Sequence, residues 1–185
     1  MTMFRRRLTG AYPLAESDIR ALHPNTSYPA ILTAEHYDAL GVDVVFPTPQ
    51  PENNDPTKAI RELPPVQVGA TWEQAWEIAD AFSGEDKAEK EAEAIAASTA
   101  AKAAMLKLAI ANAVQATLDA EAQTHQYDSI LSACTYVNSA IPQYHNEGSA
   151  CAAWRDAVWA KVAALGGEMP VAEVLKELPV MTWPQ

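Results

Sequence analysis

The chain has 185 residues, nearly half of them apolar, and a formal net charge of −11 at pH 7. Basic and acidic residues number 6 and 8 over 1–70, 4 and 10 over 71–126, and 3 and 6 over 127–185, giving −2, −6 and −3. No segment is basic enough to track a phosphate backbone, so no nucleic-acid partner is expected. The only basic run, Arg5-Arg6-Arg7, reads as a solvated end.

The N-terminus has no apolar stretch after its arginines, so it does not read as a signal peptide. No apolar run is expected to reach the roughly 20 residues of a membrane span. The expectation is a soluble chain made in the cytoplasm, without a membrane partner.

Nine of the thirteen prolines fall before residue 69. Proline fixes φ and removes a backbone donor, so long regular elements are not expected there. Two short helices fit, over residues 14–22 and 33–41, the second with a Thr33 N-cap and a Gly41 stop. Val42-Asp-Val-Val-Phe46 reads as a short strand. The prediction is a small irregular module with few strands over residues 1–46, then an extended Pro-rich linker over 47–70.

Thr71-Trp-Glu-Gln74 resembles a capping box, and Trp72, Trp76 and Ala79 recur at helical spacing. A helical region is therefore predicted over residues 71–124, interrupted at Ser83-Gly84. Residues 85–124 contain no Pro or Gly and are rich in Ala, Glu, Lys, Met and Leu. These predict one helix of about 40 residues, or roughly 60 Å. Within it Ala96, Thr99, Ala103, Leu106, Ile110, Ala113, Thr117 and Ala120 alternate spacings of three and four, an a/d heptad rhythm. That rhythm allows self-association through the central helix. Packing of an Ala-rich helix on its own domain fits equally well.

Residues 125–185 predict a small helical domain. Asp128 is the expected cap of a helix carrying Ile130, Leu131, Cys134 and Val137. Pro142 and the polar run 143–148 are expected to turn. Ser149 then caps a helix with Cys151, Trp154, Val158, Val162 and Leu165 on one face, ended by Gly166-Gly167. A last short helix starts at Pro170. The fold class predicted is thus mainly α with a small irregular or β N-terminal module (α+β).

Motifs for catalysis are few. No phosphate loop, dinucleotide glycine pattern, HExxH or GxSxG occurs. Cys134 and Cys151 have no zinc spacing and read as small buried thiols rather than a disulfide pair. His23, His36, His125 and His145 are scattered. His125, Asp128 and Cys134 can be drawn as a constellation, but nothing in their spacing selects it. Acids from Glu85 to Glu93 alternate with Lys87 and Lys90, as at a solvated helix start. No catalytic residue, metal site or cofactor is expected.

Among the tryptophans, Trp154 follows the core stripe of its helix, whereas Trp159 lies about half a turn around from it, one turn after Arg155. An exposed Trp beside an Arg suits a protein-binding face, and so does a second packing face. Arg155, Trp159 and Trp183 are the expected partner-binding residues.

Three C-terminal segments carry a resemblance: Tyr127-Asp-Ser-Ile-Leu-Ser-Ala-Cys134, Glu147-Gly-Ser-Ala-Cys-Ala-Ala-Trp-Arg-Asp-Ala-Val-Trp159, and Glu177-Leu-Pro with Trp183-Pro184. In this order they resemble a C-terminal module of phage and prophage tail proteins associated with tail-fibre assembly. Residues 14–29 also look like the opening of some phage tail proteins. The resemblance covers about the last third of the chain. It implies a binding protein whose partner is tail-fibre or baseplate protein, found in the host cytoplasm during assembly or in the virion tail. It supplies no catalytic residue. The alternatives are a phage enzyme acting on cell-envelope polymer and a host-directed inhibitor that binds through its acidic helix.

Overall fold

A computed structural model describes residues 2–22 and 24–184, so His23 lies outside the described residues. The chain is α+β and divides into two compact units, Met1–Ile95 and Ala96–Gln185.

The first unit is built on a four-stranded sheet of β1 (Met3–Arg6), β2 (Val42–Phe46), β3 (Lys58–Val68) and β4 (Thr71–Asp80), in the order β1-β2-β4-β3. β1 runs antiparallel to β2, with Phe4 opposite Val44. β2 runs parallel to β4, and β4 forms an antiparallel hairpin with β3. Helices α1 (Glu16–Leu22) and α2 (Ala34–Ala39) lie between β1 and β2 in sequence, close to their expected positions. His36 Nδ1 accepts from the Thr33 backbone N–H at 3.2 Å, closing the first turn of α2. Phe4, Ile19 and Val42 form the core, with Leu14, Tyr37, Leu40 and Val44 packed around them.

Two of the expected elements fail in this unit. The segment 47–70 is not all linker, because eleven of its residues form β3. Pro64 and Pro65 sit at a register break between Leu63 and Val66, on the strand at the end of the sheet order, beside β4. An edge strand tolerates the lost donors, and the break blunts an otherwise open edge. The expected helix at residue 71 is instead β4. Trp72, Gln74, Trp76 and Ile78 alternate with Glu73, Ala75, Glu77 and Ala79, a period of two that the Trp spacing of four also satisfies. The deciding signal is Val68-Gly-Ala-Thr71. Val68 pairs with Thr71, and Gly69 has φ 62° at the first of two loop positions, as a II′ hairpin turn needs. Gln74, expected to close a capping box, is a buried strand residue that donates to Glu62 at 2.7 Å.

The basic run is also not a free end. Arg5 lies in β1 with its guanidinium 4.0 Å from the Trp72 ring centroid and an ion pair to Asp43. Arg7 bonds Asp43 and Asp38, each at 2.7 Å.

Helix α3 (Lys87–Thr124) follows. By length and composition it is long and apolar enough to cross a membrane, contrary to the expectation that no run reaches that size. Its alanines carry that property. Among its larger residues, Ile110, Val114 and Leu118 are buried together with Ala122, at steps of four. This is an i±4 ridge, so the helix packs on its own unit by its bulky residues and not along the heptad stripe. Ile110 belongs to both rows, but Thr117 and Ala120 stay exposed.

The second unit is completed by α4 (Ile130–Thr135), a 3-10 turn at Tyr136–Asn138, α5 (Pro142–Ala164) and α6 (Val171–Lys176). Its core joins the α3 ridge to Ile130, Ala133, Cys151, Val158, Val174 and Met181. Ser129, not Asp128, caps α4, its side chain accepting from the Ser132 N–H at 3.2 Å. Nor do residues 143–148 turn: Pro142 occupies the first turn of α5, where its missing N–H is no loss, and the helix runs on to Ala164. Gly166 and Gly167, both at positive φ, end it as expected.

Candidate functional site

The second unit gathers aromatic and polar side chains from three separate segments. Helix α3 ends with the Tyr127 N–H on the Ala122 carbonyl at 3.3 Å and the Gln126 N–H on that of Gln123 at 3.1 Å. This is a Schellman pattern, and its left-handed position holds Gln126 at φ 67° where glycine is usual. The reversal delivers Tyr127, and the Ile130 N–H then donates to Asp119 Oδ1 at 2.9 Å, tying the turn back to α3.

Helix α5 crosses the 3-10 turn closely at Gly148. A Cβ there would lie 2.7 Å from both the Tyr136 carbonyl carbon and the Val137 nitrogen. Only glycine permits that approach. It brings the preceding residue, Glu147, into the interior. Glu147 is 8% exposed. It accepts from the Tyr127 hydroxyl at 2.6 Å and from Gln143 Nε2 at 3.0 Å. These two donors hold its pKa below the usual glutamate value. Burial, then the bond to Glu147, pushes the Tyr127 hydroxyl above its ordinary range.

Around this pair the rings of Tyr127 and Tyr136 lie 5.5 Å apart, as do those of Tyr136 and Tyr144. Trp183 stacks on His125 at 3.6 Å, lies parallel to Tyr127 at 6.4 Å, and donates from Nε1 to Glu121 at 2.8 Å. The result is a cleft of about 480 Å³ lined by His125, Gln126, Tyr127, Tyr136, Tyr144 and Glu147 among others. A hollow of about 380 Å³ meets Glu147 and Gln143 together with Asn146 and Pro184. Glu147 therefore lines both spaces.

Of the residues expected to bind a partner, Trp183 belongs to this aromatic group. Trp159 does not line the cleft; it packs against the core from α5, half-buried, as Trp154 does. Trp154 also donates to the Pro179 carbonyl at 2.7 Å. Arg155 does not stack on Trp159. Its Nε lies 3.9 Å from Asp156, and the guanidinium lies beside Cys134.

The other chemical candidates go to separate partners. His125 stacks on Trp183, Asp128 offers its backbone carbonyl to Gln123, and Cys134 neighbours Arg155. Both cysteines are free, and burial pushes the Cys151 thiol up to about 11. At the start of α3, Lys87 and Lys90 pair with the surrounding acids Asp80, Glu91 and Asp86. Among the described residues, no group of three or more His, Cys, Asp or Glu side chains is placed to hold a metal ion.

Sequence reasoning missed the cleft because it placed Glu147 in a turn. The tyrosines follow no helical or strand period across that supposed turn. Glu147-Gly148 inside an otherwise helix-compatible run was the available signal. No family model, curated protein or solved structure matches the chain.

Proposed function

We propose that this chain is a non-catalytic accessory protein of a bacteriophage tail. It binds tail-fibre or baseplate protein, either as part of the virion or as an assembly chaperone in the host cytoplasm.

One observation carries the reading. The three segments that resemble the tail-protein module interlock in a single helical unit. Tyr127 of the first bonds Glu147 of the second, Trp154 of the second bonds the Pro179 carbonyl of the third, and Trp183 of the third lies parallel to Tyr127. The residues behind the resemblance thus hold one fold together, which suits a module that presents a surface. Arg155, Trp159 and Trp183 are proposed as partner contacts on it.

The test is to recover a tagged copy from phage-producing cells. Tail-fibre or baseplate protein should come with it. The reading is overturned if the purified chain degrades cell-envelope polymer and loses that turnover when His125, Asp128 and Cys134 are substituted together.

A further inference from the structure

Glu147 stands out as a buried acid with no Lys or Arg partner among the described residues, His125 being the basic side chain that acts on it across the cleft. Its two hydrogen bonds come from neutral groups, Tyr127 and Gln143. Among the described residues no Lys or Arg forms an ion pair with it, although ion pairs occur in both units. An ionised carboxylate has about four acceptor positions, and these donors use two. The bonds from Tyr127 and Gln143 outweigh the effect of burial and hold the carboxylate ionised, and its remaining acceptor positions can take the paired N–H donors of a guanidinium. Glu147 also lines two open spaces. The wall of the larger one presents the rings of Tyr127, Tyr136 and Tyr144, and Tyr136 and Tyr144 are 39% and 40% exposed.

We propose that this cleft receives an arginine side chain of a protein partner, its guanidinium on Glu147 and its plane against the exposed tyrosine rings. A guanidinium matches a carboxylate by two parallel N–H donors and stacks on aromatic faces, whereas an ammonium does neither as well. The lowered pKa of Glu147 keeps the carboxylate ionised at neutral pH. The chain's net charge of −11 draws a basic partner toward it. This assignment rests on the reading of the chain as a protein-binding module and names the chemistry of one contact.

The experiment titrates the full chain with capped arginine, capped lysine and capped citrulline, the neutral isostere of arginine. Binding is followed by NMR shifts of the tyrosine and Gln143 side chains. Capped arginine should saturate at millimolar concentration and bind at least about tenfold more tightly than citrulline, as a charge-assisted contact requires. Glu147→Gln should remove that preference. Tyr144→Ala, at an exposed ring outside the Glu147 hydrogen bonds, should weaken arginine binding severalfold and covers the case in which the first variant does not fold. Equal binding of arginine and citrulline, lysine binding as tightly as arginine, or no saturable shift at these residues overturns the assignment. If fibre protein still co-purifies after such a result, only the cleft assignment has failed and the binding role stands.

Discussion

Gln126, which lines the cleft, and Gly148, which follows the cleft residue Glu147, carry opposite backbone demands. Gln126 holds a left-handed conformation that costs a side-chain-bearing residue about 1 kcal/mol or more. Gln126→Gly should therefore raise stability by up to about 1 kcal/mol in a urea melt, less the extra freedom of the unfolded chain. Gly148→Ala should do the reverse. Its methyl group meets backbone atoms at 2.7 Å that cannot rotate away, so about 1–3 kcal/mol or more of stability should be lost. The Tyr127–Glu147 bond adds a pH signature. Glu147 is lowered, so its contribution is present above the ordinary carboxyl range near 4.3 and is lost as pH falls through its folded value. Tyr127 is raised, so its contribution is complete below about 10 and fades as pH rises beyond that. Thermal melts across pH should show both limbs, with Glu147→Gln flattening the acid one.

At the scale of elements, legibility followed the strength of a single local signal. The Thr33 cap, the Val42–Phe46 strand, the long α3 and the Gly166-Gly167 stop were each marked by residues with one structural meaning. Residues 71–80 were not, because Trp72 and Trp76 satisfy both helix and strand, and the partner strand β3 hid behind Pro64-Pro65. Residues 142–148 failed for a related reason. Proline, a polar run and glycine resemble a turn, yet the proline is a helix N-terminus and the glycine a helix crossing. The cleft depended on that crossing and was invisible without it. The two tryptophans of α5 remain separable by experiment. Trp154→Ala should cost about 3–5 kcal/mol as a core deletion that also frees the Pro179 carbonyl. Trp159→Ala should weaken partner binding more than folding; if denaturant melts show the two losses to be alike, Trp159 is only a packing residue.

At the scale of the whole molecule, two compact units divide the work of folding differently. The N-terminal unit closes around Phe4, Ile19 and Val42 beneath a sheet whose charged residues pair locally, as Arg5 and Arg7 do with Asp43. The C-terminal unit closes around the α3 ridge and α5, and the segments resembling a tail-protein module are all spent there. Leu118 is fully buried at the centre of that ridge, so Leu118→Ala should cost about 2–5 kcal/mol by calorimetry or urea melt. The binding role proposed for the chain is tested most directly by quantitative mass spectrometry of purified phage particles, with the tail-fibre protein as reference, alongside unassembled fibre from the same cells. The account predicts the chain in one of these fractions: at a fixed ratio to fibre in the particle if it is an adaptor, or bound to free fibre and missing from the particle if it is a chaperone. Its absence from both, with baseplate protein also free of it, would contradict the account.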